Sequence, residues 1–169
     1  MFKSVSDFIT KTYWWTTKQN KRVVLASAPC DPIHPSHIAY LRASYKLGDI
    51  LVILVNTDRY LLHKKGYCLM PAEDRATILD FLFVDTNVYV VLCDDLDISD
   101  AIQAIQPDIM TQGGDRTEET SNYEERMACR DVGCMTIYGV GGYKKTRSSS
   151  DYFLQAFNDY RDFLDKKCK

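Results

Sequence analysis

Two histidines, three residues apart, are the first candidates for chemistry in this 169-residue chain. His34 and His37 lie in the segment APCDPIHPSH, residues 28–37, where a stretch with helical spacing begins. At a helix start, imidazoles and backbone amides can bind phosphate oxygens without a permanent positive charge. The same spacing also fits capping histidines, an incidental pair, or a metal site, for which no third ligand stands nearby.

Three basic residues form a second group of candidates. Lys64 and Lys65 belong to HKKG and are predicted to lie on a loop, either as a solvated pair or with one of them reaching a phosphate. Arg75 belongs to MPAEDRATIL, at the start of a predicted helix. It is either a surface residue or a guanidinium fork that binds a substrate phosphate.

Two further segments combine flexible backbone with hydroxyl groups. In Gly113-Gly114-Asp115 the glycines either turn the chain or let the backbone read a nucleobase edge, with Asp115 holding the loop. The residues Ser148, Ser149 and Ser150 precede the last predicted helix. They either cap that helix or, with its amide groups, bind phosphates.

These candidates follow the strands of a predicted α/β domain. Continuous apolar runs predict buried strands at residues 22–27, 50–56, 88–92, 109–112 and 135–138. Helical spacing predicts helices at residues 35–47, 73–82, 98–105, 123–131 and 149–166. This alternation requires crossover connections, and so a five-stranded parallel sheet with helices on both faces. Ligands bind such sheets outside the carboxyl ends of the strands, where we expect the candidates to share one cavity.

Residues 1–20 are predicted to form a separate helical extension of the main domain, residues 21–169. The apolar positions of this extension are Phe2, Phe8, Ile9, Trp14 and Trp15. Its opposite face is only weakly basic, so the spacing favours packing on the body or on a partner subunit over membrane insertion.

Composition excludes several classes of protein. A net charge of -2 does not fit a duplex-DNA footprint, which needs a basic surplus. No stretch approaches the about 18 apolar residues of a membrane span, and charges interrupt every apolar run of the N-terminus, so no signal peptide is expected. The six cysteines contain no CxxC pair and are interpreted as reduced thiols. A cytoplasmic location is expected.

The segment DPIHPSH resembles the HxGH signature of the nucleotidyltransferase superfamily, G-x-F-D-x-x-H-x-G-H. Three residues match it: Asp31, His34 and His37. The residues Ala28, Cys30 and Ser36 stand where the signature has Gly, Phe and Gly, respectively. The change at Ser36 matters most, because glycine there lets the backbone approach the nucleotide, although serine keeps most of that room.

The resemblance continues along residues 22–150. LGDILVILVNTDR is similar to the second strand and loop of cytidylyltransferases and of the ADP-heptose synthase nucleotidyltransferase domain. HKKG and MPAEDRATIL resemble the family's lysine loop and arginine-bearing helix. PDIMTQGGDR resembles its PDxxxxGGD segment, and GGYKKTRSSS occupies the place of its second phosphate loop.

The resemblance implies a Rossmann-like nucleotidyltransferase that moves CMP or AMP from CTP or ATP to a sugar phosphate or polyol phosphate, releasing pyrophosphate. It implies Mg²⁺ with the nucleotide, and a homodimer. The implied catalytic residues are His34, His37, Lys64 and Lys65. The implied nucleotide-binding residues are Ala28, Pro29, Cys30, Ser36, Gly113, Asp115, Arg116, Arg147, Ser148, Ser149 and Ser150. Asp31 and Arg75 are the implied substrate-binding residues, and Asp31 alternatively helps place the metal or shapes the turn.

Other functions remain open at this point. Pantetheine-phosphate and nicotinamide-mononucleotide adenylyltransferases share DPIH-like openings, although RSSSDYF departs from the closing signature of the latter. A nucleotide-binding regulatory module that has lost catalysis would also account for Ala28 and Ser36. Class I aminoacyl-tRNA synthetases are excluded, because they need a much longer chain and a KMSKS loop.

Overall fold

Five parallel strands form one sheet in the computed structural model, which describes residues 1–84, 86–114, 116–142 and 148–167. The strands are β1 (Val23–Ser27), β2 (Ile50–Asn56), β3 (Val88–Cys93), β4 (Ile109–Gly113) and β5 (Met135–Val140). They lie in the order β3-β2-β1-β4-β5, and every neighbouring pair is parallel. The predicted fold class is confirmed.

Helices cover both faces of this sheet. They are α1 (Val5–Lys11), α2 (Trp14–Thr17), α3 (Pro35–Tyr45), α4 (Asp58–Lys65), α5 (Ala72–Leu82), α6 (Ser99–Ile105), α7 (Tyr123–Asp131) and α8 (Ser149–Lys167). One apolar cluster joins the sheet to α1, α2, α6 and α7, and a second joins it to α3 and α5. All seven residues of β2 are buried, as its unbroken apolar run predicts.

The strand order reverses beside β1. Leu25 of β1 aligns with Val52 of β2 on one side and with Met110 of β4 on the other. The chain therefore winds outward through β2 and β3, then returns to the far side of β1 for β4 and β5. The carboxyl ends of β1 and β4 diverge into loops at this switch point, where such sheets bind ligands.

The N-terminal segment forms two short helices instead of the single helix predicted. Tyr13 adopts a left-handed backbone (φ 48°, ψ 51°), which ends one helix and redirects the chain into the next. The segment packs on the body, one of the two predicted alternatives: Phe8 and Trp14 are fully buried. The indole of Trp14 donates a 2.9 Å hydrogen bond to the carbonyl oxygen of Ile105 at the end of α6.

The C-terminal helix α8 leaves much of its apolar stripe exposed. Its periodicity predicts the helix correctly, but Phe157, Tyr160 and Leu164 are 56%, 62% and 42% exposed, so most of the stripe lies outside the core. Across the described parts of the chain, no helix has both the length and the apolar character that a membrane crossing requires.

The two adjacent tryptophans provide a test of this packing. Trp14→Ala removes a fully buried indole and should lower the free energy of unfolding by about 3–5 kcal/mol. Trp15→Ala is the control, because this side chain is half exposed, and its effect should stay below about 1 kcal/mol. Urea unfolding followed by circular dichroism measures both. Equal losses for the two variants would contradict the packing of the N-terminal segment.

Candidate active site

A cavity of about 940 Å³ opens at the carboxyl ends of the strands. The loops after β1, β4 and β5 contribute to its wall, together with the last turn of α4. Most of the residues predicted to form the site lie on it: Ala28, Pro29, His34, Ser36, His37, Lys64, Lys65, Gly113, Arg116, Ser148, Ser149 and Ser150. The cavity therefore brings together segments that are more than 120 residues apart in the sequence.

The two histidines stand at the start of α3. His34 is the N-cap with an extended backbone (φ -147°), and Pro35 in the first turn supplies the fixed φ that favours a helix start. The two imidazole rings lie one over the other, with centroids 3.8 Å apart and planes tilted by 32°. The histidines thus present two stacked, nitrogen-bearing rings at a helix N-terminus, an arrangement suited to an anion.

The start of α8 meets the histidine loop, the segment of residues 28–37 that follows β1. The hydroxyl of Ser149 donates to the carbonyl oxygen of Pro32 at 3.2 Å, and the ring of Tyr152 lies 5.8 Å from that of His34. The hydroxyl of Tyr67 donates to the hydroxyl oxygen of Ser150 at 2.9 Å. Two helix N-termini, those of α3 and α8, therefore border the same cavity.

Ser148 caps α8, as one of the two interpretations of the serines predicts. Its hydroxyl oxygen accepts from the amide of Asp151, and the Asp151 carboxylate accepts from the amide of Ser148 at 2.6 Å. This reciprocal capping fixes the helix start, where backbone amides favour anions. Capping and phosphate binding are compatible here, because the cap orients the amide groups that border the cavity.

The two lysines lie on a helix, which corrects the prediction of a loop. HKKG is the end of α4: the lysines occupy its last turn, and Gly66 ends it with φ 76°. Basic residues followed by glycine are a common helix C-terminal signature, which explains this arrangement. The ammonium group of Lys64 donates to the Tyr60 hydroxyl at 2.8 Å, and that of Lys65 lies 5.7 Å from the ring centroid of Tyr67.

Asp31 connects two loops. Its carboxylate is fully buried and accepts hydrogen bonds from the backbone amides of Leu69 (3.0 Å) and Met70 (2.8 Å). The turn after β1 is thereby fixed to the segment between α4 and α5. This position favours the turn-shaping role of Asp31 over substrate or metal binding.

Arg75 is also buried, and its guanidinium group is used within the protein. It donates to the carbonyl oxygens of Pro29 (2.5 Å), Asn56 (2.8 Å) and Met70 (2.8 Å). It also forms a 2.7 Å ion pair with Asp58 at the start of α4. The guanidinium lies beneath the cavity wall, so its position does not favour the substrate-binding role predicted for it.

Cys30 likewise lies below the cavity surface. Its side chain is fully buried, and burial raises the pKa of the thiol to about 12. A neutral thiol in this place acts as an apolar side chain that fills the core beneath the histidine loop. Two predicted nucleotide-binding residues, Asp115 and Arg147, lie outside the described residues.

A close backbone approach explains one glycine of the cavity. A Cβ atom on Gly141 would lie 2.7 Å from the Cα of Tyr40, and its φ of 86° also favours glycine. The Tyr40 hydroxyl donates to the carbonyl oxygen of Thr111 at 2.8 Å, and burial raises the pKa of Tyr40 to about 12. Tyr40 therefore supports the wall where α3 crosses the ends of β4 and β5.

Several cavity residues were not predicted from the sequence. They include Asn56, Tyr60, Leu96, Gln112 and Glu125. The sequence could have indicated Asn56 and Gln112 as cavity residues, since each is a polar residue at the carboxyl end of a buried strand. The sequence could not have indicated Glu125, because only the packing of α7 decides which acidic residue of that helix faces the cavity.

The buried guanidinium provides a second test. Arg75→Met leaves three carbonyl oxygens and one carboxylate without their donors, so the free energy of unfolding should fall by about 3–5 kcal/mol. Arg59→Met is the control, because Arg59 is 64% exposed in its pair with Asp94 and should matter far less. Thermal unfolding measures both. A stable Arg75→Met variant with impaired substrate binding would instead support the substrate-binding role.

Comparison with known proteins agrees with this geometry. Residues 30–152 match the model of the cytidylyltransferase-like family. The FAD synthase of Methanosphaerula palustris is 32% identical over 123 residues, which cover 72% of this chain and 77% of that protein. The bifunctional protein HldE of Methylobacillus flagellatus is 38% identical over 103 residues, which cover 60% of this chain but only 21% of that longer protein.

A solved structure shares the fold. The lipopolysaccharide core biosynthesis protein from Thermoplasma volcanium superposes with a TM-score of 0.58 at 23% identity, covering 74% of this chain and all of that one. The family match spans most of the chain, including the histidine loop, α4, β4 and the start of α8. The chain therefore belongs to the cytidylyltransferase-like family and is a nucleotidyltransferase.

Proposed function

We propose that this enzyme transfers AMP from ATP to the phosphate group of a phosphorylated small metabolite, a sugar phosphate or polyol phosphate, and releases pyrophosphate. The observation that carries the proposal is the meeting of two helix starts at one cavity, with His34 and His37 on one and Ser148–Ser150 on the other. Both sites suit phosphate oxygens, and one nucleoside triphosphate can contact both.

The triphosphate lies along these two helix starts. The α-phosphate sits beside the imidazoles of His34 and His37, and the β- and γ-phosphates extend toward the amides at the start of α8. Lys64 and Lys65 add positive charge from α4. The nucleobase and ribose contact the backbone near Gly113 and Arg116, at the end of β4.

The reaction needs little covalent help from the protein. The acceptor's phosphate monoester is largely dianionic near neutral pH, because its second pKa is about 6. One of its oxygens attacks the α-phosphorus in line and forms a new P–O bond. The bond between the α-phosphorus and the bridging oxygen breaks, and pyrophosphate leaves with that electron pair. The side chains contribute positioning and stabilise the charge that develops on the α-phosphate.

Mg²⁺ fits as an ion that enters with the triphosphate. Within the described ranges, no three His, Cys, Asp or Glu side chains form a cluster suited to a metal, and Asp31 already accepts from two backbone amides. Mg²⁺ commonly binds through substrate phosphates with few protein ligands, and there it neutralises phosphate charge.

The relatives supply two candidate acceptors. Proteins named FAD synthase make a product with an adenylyl group, which supports ATP as the donor and makes FMN a second candidate acceptor. The relatives named HldE, together with the resemblance to the ADP-heptose synthase domain, support a sugar phosphate. CTP remains the competing donor, and the predicted homodimer stays a prediction.

Pyrophosphate release tests the proposal directly. The protein is incubated with ATP or CTP and Mg²⁺, and with glycerol 3-phosphate, glucose 1-phosphate, a heptose 1-phosphate or FMN. We expect release only when donor and acceptor are both present, with ATP preferred. A protein that binds ATP but releases no pyrophosphate with any acceptor would support the regulatory alternative instead.

Replacement of one imidazole tests the assignment of the α-phosphate site. His37→Ala should lower kcat by about 10²–10³-fold, because it removes a donor to the charge developing in the transition state. His63→Ala is the control, since His63 is exposed on α4 and does not line the cavity. Kinetics of pyrophosphate release measure both variants, and circular dichroism checks their folding. Near-normal turnover of a folded His37→Ala variant refutes the assignment.

A further inference from the structure

The end of β4 carries side chains to both faces of the sheet inside the cavity. Thr111 lies on the α3 face, where its hydroxyl oxygen is 3.1 Å from the hydroxyl oxygen of Tyr40. Successive side chains of a strand point to opposite faces, so Gln112 is directed toward α7. There its amide nitrogen Nε2 donates to Oε2 of Glu125 at 3.2 Å. The Gln112–Glu125 pair therefore forms the α7 side of the cavity, and both residues line it.

The groups suited to phosphates lie on the other side. His34 and His37 stand at the start of α3, and Ser149 at the start of α8 is hydrogen-bonded to the histidine loop. A triphosphate that follows its proposed path between these helix starts directs its nucleoside across the end of β4. Because the ribose is joined directly to the α-phosphate, the base is the part of the nucleotide that extends farthest from the histidines, toward α7.

Hydrogen bonds in the connection between β4 and α7 fix the position of Glu125. The side chain of Asn122 caps α7 by accepting from the backbone amide of Glu124 at 2.8 Å. The guanidinium group of Arg126, on the first turns of the same helix, donates to the carbonyl oxygen of Ser121 at 3.1 Å. The carboxyl group of Glu125 is thus held in place before a ligand binds, which lowers the cost of recognition.

The surroundings of Glu125 determine which kind of partner its carboxyl group takes. Burial raises its pKa, and the charge of Asp97 adds to the rise, whereas the hydrogen bond from Gln112 and the positive charge of Arg116 oppose it. An ionised carboxylate accepts hydrogen bonds and donates none. Among the described parts of the chain, Gln112 is the hydrogen-bond donor to this carboxylate, and it uses one of the two oxygens. The second oxygen calls for a donor from the ligand.

Nucleobases differ in what they offer to such an oxygen. Adenine has an amino group at C6 and cytosine has one at C4, and both groups donate hydrogen bonds. Guanine and uracil have carbonyl oxygens at the same positions, which only accept. A carboxylate forms a charge-assisted hydrogen bond with an amino group. Opposite a carbonyl oxygen it stays unpaired, and a site built for a hydrogen bond rejects a ligand that lacks the donor.

We propose that Glu125 determines donor specificity, because its second carboxylate oxygen accepts a hydrogen bond from the exocyclic amino group of the nucleobase. ATP and CTP meet this requirement, whereas ITP, GTP and UTP do not. The inference rests on the nucleotide position in the proposed function, and it is independent of the acceptor. Gln112 is a positioning residue, because its amide holds the other carboxylate oxygen.

ATP and ITP provide the test, because their bases differ only in the amino group or oxygen at C6 and in the proton on the adjacent N1. Calorimetric titration in the presence of Mg²⁺ measures both dissociation constants without an acceptor. The unaltered protein should bind ATP at least about tenfold more tightly than ITP. Glu125→Gln should reduce this preference to less than about threefold, because a carboxamide donates as well as accepts. Glu124→Gln is the matched control, since Glu124 is exposed and lies outside the cavity, and it should keep the preference.

Two further comparisons separate base recognition from other roles. A carboxylate that bound ribose hydroxyls would make Glu125→Gln lose the preference for ATP over 2′-deoxy-ATP or 3′-deoxy-ATP and keep that for ATP over ITP, which overturns the inference. A purely structural role would weaken ATP and ITP equally and leave their ratio unchanged, which also overturns it. Gln112→Met should reduce the preference for ATP over ITP less than Glu125→Gln, and the two effects should not add.

The binding measurements distinguish this inference from the function beneath it. Tight binding of ATP with an unchanged preference over ITP in Glu125→Gln overturns the role of Glu125 and leaves nucleotidyl transfer standing. Loss of the preference in a protein that releases no pyrophosphate with any acceptor supports the role of Glu125 and overturns the transfer reaction. A protein that binds neither ATP nor CTP overturns both.

Discussion

One buried guanidinium holds together the segments beneath the cavity. Arg75 donates to carbonyl oxygens in the turn after β1, at the end of β2 and in the loop before its own helix, and it pairs with Asp58 at the start of α4. A single side chain from α5 thereby fixes the spacing of the histidine loop and the lysine-bearing helix. Because a charge without partners is very unfavourable in the interior, these contacts are strongly coupled.

The remaining loops are fixed by contacts of the same kind. Asp31 accepts backbone amides from the segment between α4 and α5, and Ser149 and Tyr67 connect the start of α8 to two neighbouring loops. These polar side chains thus hold the loops in place, and the groups at the cavity surface include imidazoles, ammonium groups and helix N-termini. The proposed phosphate binding would use positions that are fixed before the ligand arrives, as charge-stabilising catalysis requires.

The sheet order determines how the cavity is divided. The central position of β1 places its histidine loop between the β2–β3 side, which carries Lys64, and the β5 side, which leads to α8. In an in-line displacement, the acceptor oxygen attacks the α-phosphorus from the side opposite the departing pyrophosphate. The two substrates must therefore approach from different sides. Gln112 and Glu125, at the end of β4 and on α7, add hydrogen-bonding groups that are absent from the signature motifs.

The sequence by itself determined the alternation of strands and helices, the parallel sheet and the family, because apolar periodicity and local motifs are properties of short segments. It also identified His34, His37 and the serines at the cavity. Only the tertiary structure decided that Tyr13 divides the first helix, that Lys64 and Lys65 end a helix, and that Arg75 faces the interior. The direction in which a charged side chain points depends on partners distant in the chain. Glu124 and Glu125 are the clearest case: the two residues are chemically identical, and the packing of α7 alone places one in solvent and the other in the cavity.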